Sequence, residues 1–290
     1  MPVVNQRIHI TECPRDAMQG IKTFIPTEIK VQYLNLLLSC GFSRLDFGSF
    51  VSPKAIPQLS DTAEVLAHLN PSNTQLLAIV ANEQGVDRAL VHNRIAFLGY
   101  PFSISEQFQI RNTNATIKES LNRIKGISRD VDESNRKVML YLSMGFGNPY
   151  GDPWSVQMVV DYAKSLYESF GIQHFALSDT IGCATPELVS QVFQAVNQAL
   201  PDLEIGVHLH SLPSKSMDLI DASIIAGCTR FDGALLGIGG CPMAKDDLTG
   251  NLATEALLSY CKHAGIDTDI QEEAFFIANE YAKTVFNKYQ

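Results

Sequence analysis

The sequence predicts an α/β fold, a closed (β/α)8 barrel (TIM barrel) followed by one additional C-terminal helix. Short apolar, β-branched runs alternate eight times with longer segments of helical periodicity, and the 290 residues suit a barrel of about 250 residues. No linker-like stretch divides the chain, so we expect a single domain over residues 1–290. The alternative is a doubly wound open sheet. It is disfavoured because the first run is followed by Glu12-Cys-Pro-Arg-Asp16 rather than by Gly-x-Gly-x-x-Gly.

The elements follow from short apolar, β-branched runs and from longer segments of helical period. The predicted strands are Arg7–Thr11, Arg44–Gly48, Gln75–Ala81, Ile95–Gly99, Lys137–Ser143, His174–Ser178, Ile205–His210 and Arg230–Leu236. The predicted helices are Thr27–Cys40, Asp61–Leu69, Glu83–His92, Thr116–Glu133, Pro153–Phe170, Pro186–Leu200, Ser214–Ala226 and Asn251–Ala264, with the extra helix at Gln271–Phe286. Thr185 before Pro186 has the order of an N-cap followed by an N1 proline.

Composition excludes several classes of protein. The chain has 22 Lys and Arg against 31 Asp and Glu, a net charge of −9, which argues against a nucleic-acid partner. No apolar run reaches the roughly 20 residues that span a bilayer, and the N-terminus is too short and polar for a signal peptide. The six cysteines show no paired short spacing, which indicates free thiols in a reducing cytoplasm. Any site for an anionic metabolite must therefore be positive locally.

The strongest site signal is His208-Leu-His210 at the end of the seventh predicted strand. Residues i and i+2 of a strand point the same way, so both imidazoles face one side, at the barrel end where active sites lie. Arg15 and Asp16 follow the first strand, where the carboxylate could complete a metal site. Two structural histidines and a surface ion pair are the alternatives.

Two further signals come near the end of the barrel. Gly237-Ile-Gly-Gly-Cys241-Pro predicts a mobile loop whose thiol could move protons, with a buried thiol as the alternative. Asn251 at a predicted helix start is either an N-cap or a metal ligand through its amide oxygen. Nitrogen and oxygen donors with few thiolates suit Mg²⁺ or Mn²⁺ better than Zn²⁺.

These motifs together resemble 3-hydroxy-3-methylglutaryl-CoA lyase, in order and from about residue 8 to 260. The matching segments are Glu12-Cys-Pro-Arg-Asp-Ala-Met-Gln19, Ser49-Phe-Val-Ser-Pro-Lys-Ala-Ile-Pro-Gln58, Leu177-Ser-Asp-Thr-Ile-Gly182, Val207-His-Leu-His210, Gly239-Gly-Cys-Pro242 and Gly250-Asn-Leu-Ala-Thr-Glu255. The Ser-Phe-Val-Ser-Pro-Lys block and the Gly-Gly-Cys-Pro loop are more specific to the lyase than Arg-Asp or His-x-His, which occur more widely among barrel metal lyases. The departures indicate a distinct bacterial branch.

The resemblance implies roles by position. The metal ligands would be Asp16, His208, His210 and Asn251. Arg15 would steady the carbonyl oxygen of the leaving enolate, and Cys241 would transfer a proton. The residues near the substrate would be Gln19, Lys22, Asp46, Ser105 and Asp179, with Lys22 near the CoA end. His208 and Asp46 are both open as the base for the C3 hydroxyl.

The implied reaction is the metal-dependent retro-Claisen cleavage of 3-hydroxy-3-methylglutaryl-CoA to acetyl-CoA and acetoacetate, as in leucine degradation. The His-x-His and Arg-Asp signals allow the first of two alternatives, and the second is motivated by Asp46 and Ser211, where the family usually has Glu and Asp. The alternatives are a related condensing enzyme or aldolase, and a non-catalytic barrel that binds a metal or acyl-CoA. The C-terminal aromatic residues would either form a homodimer surface or pack on the chain's own barrel; they are Phe275, Phe276, Tyr281 and Phe286.

Overall fold

Eight parallel strands form a closed barrel in the computed structural model, which describes residues 7–240 and 249–290. They pair in chain order, and the eighth pairs with the first. The strands are β1 (His9–Glu12), β2 (Arg44–Ser49), β3 (Gln75–Ile79), β4 (Ile95–Ser103), β5 (Lys137–Ser143), β6 (His174–Asp179), β7 (Glu204–Leu209) and β8 (Arg230–Gly233). All eight predicted strands are present, so the predicted barrel is confirmed and the open sheet is wrong.

The nine predicted helices are also present, with ends shifted by a few residues. The helices are α1 (Pro14–Gln19), α2 (Thr27–Leu38), α3 (Thr62–Ala67), α4 (Glu83–Leu90), α5 (Glu106–Thr113), α6 (Ile117–Glu133), α7 (Val156–Phe170), α8 (Pro186–Ala199), α9 (Pro213–Ile225), α10 (Thr254–Ala264) and α11 (Glu272–Tyr289). Helices α1 and α5 were not predicted, because α1 is buried on nearly every side and shows no amphipathic pattern, while α5 is short and mostly polar. In the described part of the chain, none of these helices has both the length and the apolar character needed to cross a membrane.

The additional helix α11 packs against α2 of its own barrel. Phe286 is buried and meets the ring of Tyr33 edge-on at 5.8 Å between centroids, and Phe275 meets Phe42 at 6.4 Å. Phe276 remains 65% exposed. Most of the aromatic surface of α11 is therefore used within the chain, and a homodimer stays a prediction.

The barrel interior has an apolar side and a charged side. Strands β3 to β6 supply the apolar cluster Leu77, Ile79, Phe97, Met139, Tyr141 and Ala176. Strands β2, β7 and β8 supply the charged or polar side chains Arg44, Asp46, Glu204, His208, Arg230 and Asp232. Burying so many charges is costly unless they are paired. Their partners therefore show which of them remain available to a ligand.

Candidate active site

Arg15 lies at the carboxyl end of the barrel and is held by two carboxylates. Its Nε and Nη2 donate to Asp46, with Nη2 2.6 Å from Oδ2, and its Nη1 donates to Asp16 Oδ1 and to Gln19 Oε1, both at 3.0 Å. Gln19 donates in turn to Asp16 Oδ1 at 2.5 Å. A guanidinium has five N–H groups. Among the described residues, these bonds leave one N–H of Nη2 for a substrate oxygen.

The unpredicted helix α1 explains this geometry. Pro14 is its first residue, where proline is favoured because that position needs no N–H donor. Arg15, Asp16 and Gln19 then lie within one and a half helical turns, so i, i+3 and i, i+4 contacts join them. The surface ion pair considered for Arg15 and Asp16 is wrong, since both residues are buried.

His208 and His210 are the other buried groups of this end of the barrel. His208 lies in β7 and His210 directly follows it; their ring centroids are 5.3 Å apart. His208 Nδ1 contacts Asp232 Oδ2 at 3.2 Å. Burial, together with adjacent His208, lowers the pKa of His210 to about 4. His210 is therefore neutral at pH 7 and keeps a lone pair for a ligand.

Asp16 meets both histidines. One ligand atom from each of Asp16, His208 and His210 lies within 4.8 Å of the other two. Burial would raise the pKa of Asp16, but the charges of Arg15, His208 and His210 outweigh it and hold this pKa below its usual value. One ionised oxygen ligand thus faces two imidazoles, an arrangement that fits a divalent cation with nitrogen and oxygen ligands.

Asn251 lies beside this cluster rather than at a helix start. Its amide donates to Asp16 Oδ2 at 2.6 Å and to the Ile238 carbonyl at 2.9 Å. Helix α10 begins at Thr254 with Ala253 as its N-cap, so the N-cap alternative for Asn251 is wrong. Gly239, at φ +110°, packs so closely that a Cβ there would overlap the Asn251 amide. Ligation of a cation would need the amide oxygen, and rotation about χ2 by 180° would bring it to face Asp16.

Asp46 is enclosed behind Arg15. Burial raises the pKa of Asp46 to about 6, although the Arg15 guanidinium opposes the rise. Both its oxygens accept from Arg15, and its side chain is fully buried. Asp46 is absent from the residues lining the cleft, whereas His208 is among them. Of the two open bases, His208 is therefore the one within reach of a ligand.

A cleft with a cavity volume of about 140 Å³ opens above these groups. Its walls include Asp16, His208 and His210. The other lining residues are polar or apolar, among them Gln19, Val51, Ile56, Phe108, Asn112, Tyr141, Ser143 and Thr180. Sequence reasoning missed Tyr141, whose buried hydroxyl has no hydrogen-bond partner among the described residues and whose ring lies edge-on to His208. The sequence did contain a signal for Tyr141: it lies two residues before Ser143 in β5, so both side chains face the same, inward side of the strand.

Besides Asp46, three predicted substrate residues lie outside the cleft lining. Ser105 is the N-cap of α5, and its hydroxyl donates to Asp152 Oδ2 at 2.5 Å. Asp179 accepts from the backbone N–H groups of Cys183 and Ala184 and so fixes the turn after β6. Lys22 is exposed on the loop after α1. Both Ser105 and Asp179 therefore support loops, while a CoA-end role for Lys22 stays a prediction. Cys241 lies outside the described residues.

Comparison with known proteins identifies the family. A family model described as HMGL-like matches residues 8–281. The chain belongs to the HMGL-like family. It is 32% identical over 279 residues to the hydroxymethylglutaryl-CoA lyase YngG of Bacillus subtilis, covering 95% of this chain and 91% of that protein. It is 31% identical to the cytoplasmic 3-hydroxy-3-methylglutaryl-CoA lyase of Rattus norvegicus, covering 95% and 80%.

Solved structures agree with this membership of the HMGL-like family. An HMG-CoA lyase from Acinetobacter baumannii, in complex with coenzyme A and 3-methylmalate, has a TM-score of 0.91 at 29% identity and covers 99% of this chain and 93% of that one. The HMG-CoA lyase of Bacillus subtilis also has a TM-score of 0.91, at 32% identity, covering 98% and 95%. A putative aldolase domain from Bacteroides vulgatus, at 17% identity and a TM-score of 0.72, shows the shared fold alone.

Proposed function

We propose that this protein is a carbon–carbon lyase that cleaves 3-hydroxy-3-methylglutaryl-CoA to acetyl-CoA and acetoacetate with a divalent cation. The observation that carries the proposal is the meeting of Asp16, His208 and His210 beside the Arg15 guanidinium, at the floor of one cleft. The HMG-CoA lyases among its relatives support the acyl-CoA substrate. No observation favours a condensing enzyme or a non-catalytic barrel.

The residues that would hold the cation are Asp16, His208, His210 and Asn251, and we propose Mg²⁺ or Mn²⁺. A divalent cation bound there supplies a Lewis acid that polarises substrate oxygens. Burial keeps His210 neutral, and Arg15 keeps Asp16 ionised, so both side chains are in the protonation state that ligation requires.

Arg15 is placed to stabilise the negative charge that develops when the C–C bond breaks. The thioester carbonyl of the departing acetyl unit becomes an enolate, and a fixed cationic donor lowers the energy of that oxyanion. Asp46 and Gln19 restrict the guanidinium, so little reorganisation is needed as the charge appears. Asp46 thus acts on the reaction by positioning Arg15. Proton acceptance from the C3 hydroxyl by His208 stays a prediction, and it requires that His208 does not ligate the cation at the same time, because Nδ1 faces Asp232 and only Nε2 has a lone pair to offer.

Product analysis tests the proposal. The protein, stripped of metal with EDTA, is incubated with 3-hydroxy-3-methylglutaryl-CoA, and acetoacetate and acetyl-CoA are measured before and after Mg²⁺ or Mn²⁺ is added. We expect both products in equal amounts only after the metal is restored. Full activity in excess chelator would contradict the metal requirement, and acyl-CoA binding without any product would favour the non-catalytic barrel.

A matched pair of variants locates the site. His210→Ala should lower turnover at least a hundredfold, because it removes one of the few protein ligands of the cation. His263→Ala replaces an exposed histidine of α10 and should leave turnover within a factor of two. Equal activity of the two variants would show that the reacting site lies elsewhere.

A further inference from the structure

A second arginine, Arg230, is buried inside the barrel below the cation site. Only 2% of its surface is exposed. Its Nη1 donates to Asp232 Oδ1 at 2.5 Å, its Nη2 donates to the Phe175 carbonyl at 3.0 Å, and its Nε lies 3.5 Å from Glu204 Oε1. An arginine in a protein interior needs such partners, because an unpaired buried charge is strongly destabilising. Two hydrogen bonds therefore fix the guanidinium, and the Glu204 carboxylate lies near its Nε without a hydrogen bond to it.

The backbone of β7 is shaped to accept this guanidinium. Gly206 lies directly against it, and a Cβ at that position would overlap the guanidinium carbon and nitrogens. Any side chain at Gly206 would therefore displace Arg230. Gly206 and His208 are two residues apart on one strand and face the same side, so Arg230 occupies the layer immediately below His208.

Asp232 joins Arg230 to His208. One carboxylate oxygen, Oδ1, accepts from Arg230, and the other, Oδ2, contacts His208 Nδ1 at 3.2 Å. His208 and Asp232 are also register partners in the β7–β8 pairing. A carboxylate that accepts from Nδ1–H fixes both the ring orientation and the tautomer of a histidine, and it leaves Nε2 as the ligating nitrogen.

We propose that Arg230 is a positioning residue that fixes the Asp232 carboxylate, and through it His208, and thereby sets the affinity of the site for its divalent cation. The proposal rests on the cation site of the proposed function. It extends that site below the cleft, since neither Arg230 nor Asp232 lines the cleft wall. Removing the partner of a ligating histidine typically costs about 10- to 100-fold in metal affinity.

Arg44 provides a matched control. Its side chain is also buried, with 9% of its surface exposed, and it lies at the same end of the barrel as Arg230. It makes a bidentate ion pair with Glu204, with N–O distances of 2.6 and 2.8 Å. Glu204 has no contact with His208 among the described bonds, and it lies 3.5 Å from Arg230 Nε, so Arg44 shares the burial and charge of Arg230 but reaches the cation site only through Glu204 and Arg230 itself. A merely structural role would affect both arginines alike.

The test is the Kd for Mn²⁺, measured by electron paramagnetic resonance on the substrate-free protein. Arg230→Met should raise this Kd at least tenfold, and Arg230→Lys, which keeps a cationic donor for Asp232, should recover most of the affinity. Arg44→Met should leave the Kd within a factor of two. Equal changes in Arg230→Met and Arg44→Met, or unchanged affinity in both, would overturn the proposal.

A measurement on the parent protein applies even if Arg230→Met does not fold. In the Mg²⁺-loaded protein, ¹⁵N correlation spectra should show His208 with its proton on Nδ1; a proton on Nε2 would overturn the proposal. Product analysis separates the two hypotheses. Loss of Mn²⁺ affinity in Arg230→Met without any acetoacetate from the parent would refute the proposed reaction alone. Product formation with unchanged Mn²⁺ affinity in Arg230→Met would refute the role of Arg230 alone, and a parent protein that binds no Mn²⁺ would refute both.

Discussion

The two ends of the barrel interior both contain buried charges, but they use them differently. At the amino end, Glu204 forms ion pairs with Arg44 and Arg230, so both oxygens of its carboxylate already face arginines of the same chain. At the carboxyl end, Asp16 keeps an oxygen close to two imidazoles, and Arg15 keeps one N–H free of a described partner. A buried charge cluster becomes a binding site only where its ligand atoms exceed the partners supplied by the chain.

Arg15 should give the largest effect at the carboxyl end. Arg15→Met removes the donor placed for the enolate oxygen, and we expect kcat to fall by about 10²- to 10³-fold. Steady-state kinetics with saturating Mn²⁺ measures the loss. Arg15→Lys keeps the charge but not the planar fork, so it should recover only part of the rate. A kcat within threefold of the parent in Arg15→Met would remove Arg15 from the chemistry.

Substitution of Arg44, at the amino end, should lower stability and leave turnover nearly unchanged. Arg44→Met breaks a bidentate pair whose carboxylate is one-third exposed, and we expect the free energy of unfolding to fall by about 2 kcal/mol. Turnover of the folded protein should stay within twofold. Urea unfolding and kinetics on the same preparation check both values. A tenfold loss of kcat without loss of stability would show that the amino end also serves the reaction.

Tyr141 tests whether an unpaired polar group of the cleft binds substrate. Its hydroxyl is buried without a described partner, so Tyr141→Phe should cost the protein little stability. If a substrate oxygen is its partner, the same change should lower kcat/KM about tenfold, the value of one hydrogen bond. Thermal unfolding with and without an acyl-CoA ligand provides the control. Equal kcat/KM in Tyr141→Phe and the parent would exclude this contact.

Glu12, the last residue of β1, lies at the carboxyl end but outside the cleft lining, and we expect it to affect stability rather than turnover. Burial raises the pKa of Glu12 to about 8, because its partners, the Leu235 N–H and the Thr254 hydroxyl, carry no charge. Its folded-state pKa lies above the unfolded value near 4.5, so its contribution to stability is complete below pH 4.5 and is lost as the pH rises through 8.

The expected slope follows from the same linkage. Between pH 5 and 8 the parent should lose up to about 1.4 kcal/mol of unfolding free energy per pH unit relative to Glu12→Gln, whose amide does not titrate. Urea unfolding at four pH values measures the difference. Parallel stability curves for the two proteins would show that Glu12 is ionised in the folded state.

The sequence was sufficient for the barrel and for half of the site. Eight apolar runs of strand period predicted the eight strands, and the two-residue spacing of His208 and His210 predicted that they converge. Helix α1 could not be predicted, because five of its six residues are buried and give no amphipathic pattern, and the helix depends on Pro14 and on tertiary contacts. Hence the contact between Arg15 and Asp46, 31 residues apart, was also missed.

The charged interior was harder to predict for a different reason. Arg230 and Asp232 look like the solvent-exposed residues of an edge strand, and only closure of the barrel makes them internal. Family resemblance predicts Ser105 and Asp179 in the substrate pocket or directly behind it. They form a helix cap and a turn outside the cleft lining, and their contribution to substrate binding stays a prediction. Position within a motif does not reveal whether a polar atom is already occupied.

The bond between Asp16 and Asn251 spans 235 residues of sequence and lies where the first and last repeats of the barrel meet. During synthesis, almost the entire chain must therefore be complete before Asp16 and Asn251 can approach each other. A cation that needs both would have no affinity for a nascent fragment and would bind only the closed ring. By mass action it would then stabilise the folded protein against separation of β1 from β8, by a free energy that grows with the logarithm of the free metal concentration once this exceeds the Kd.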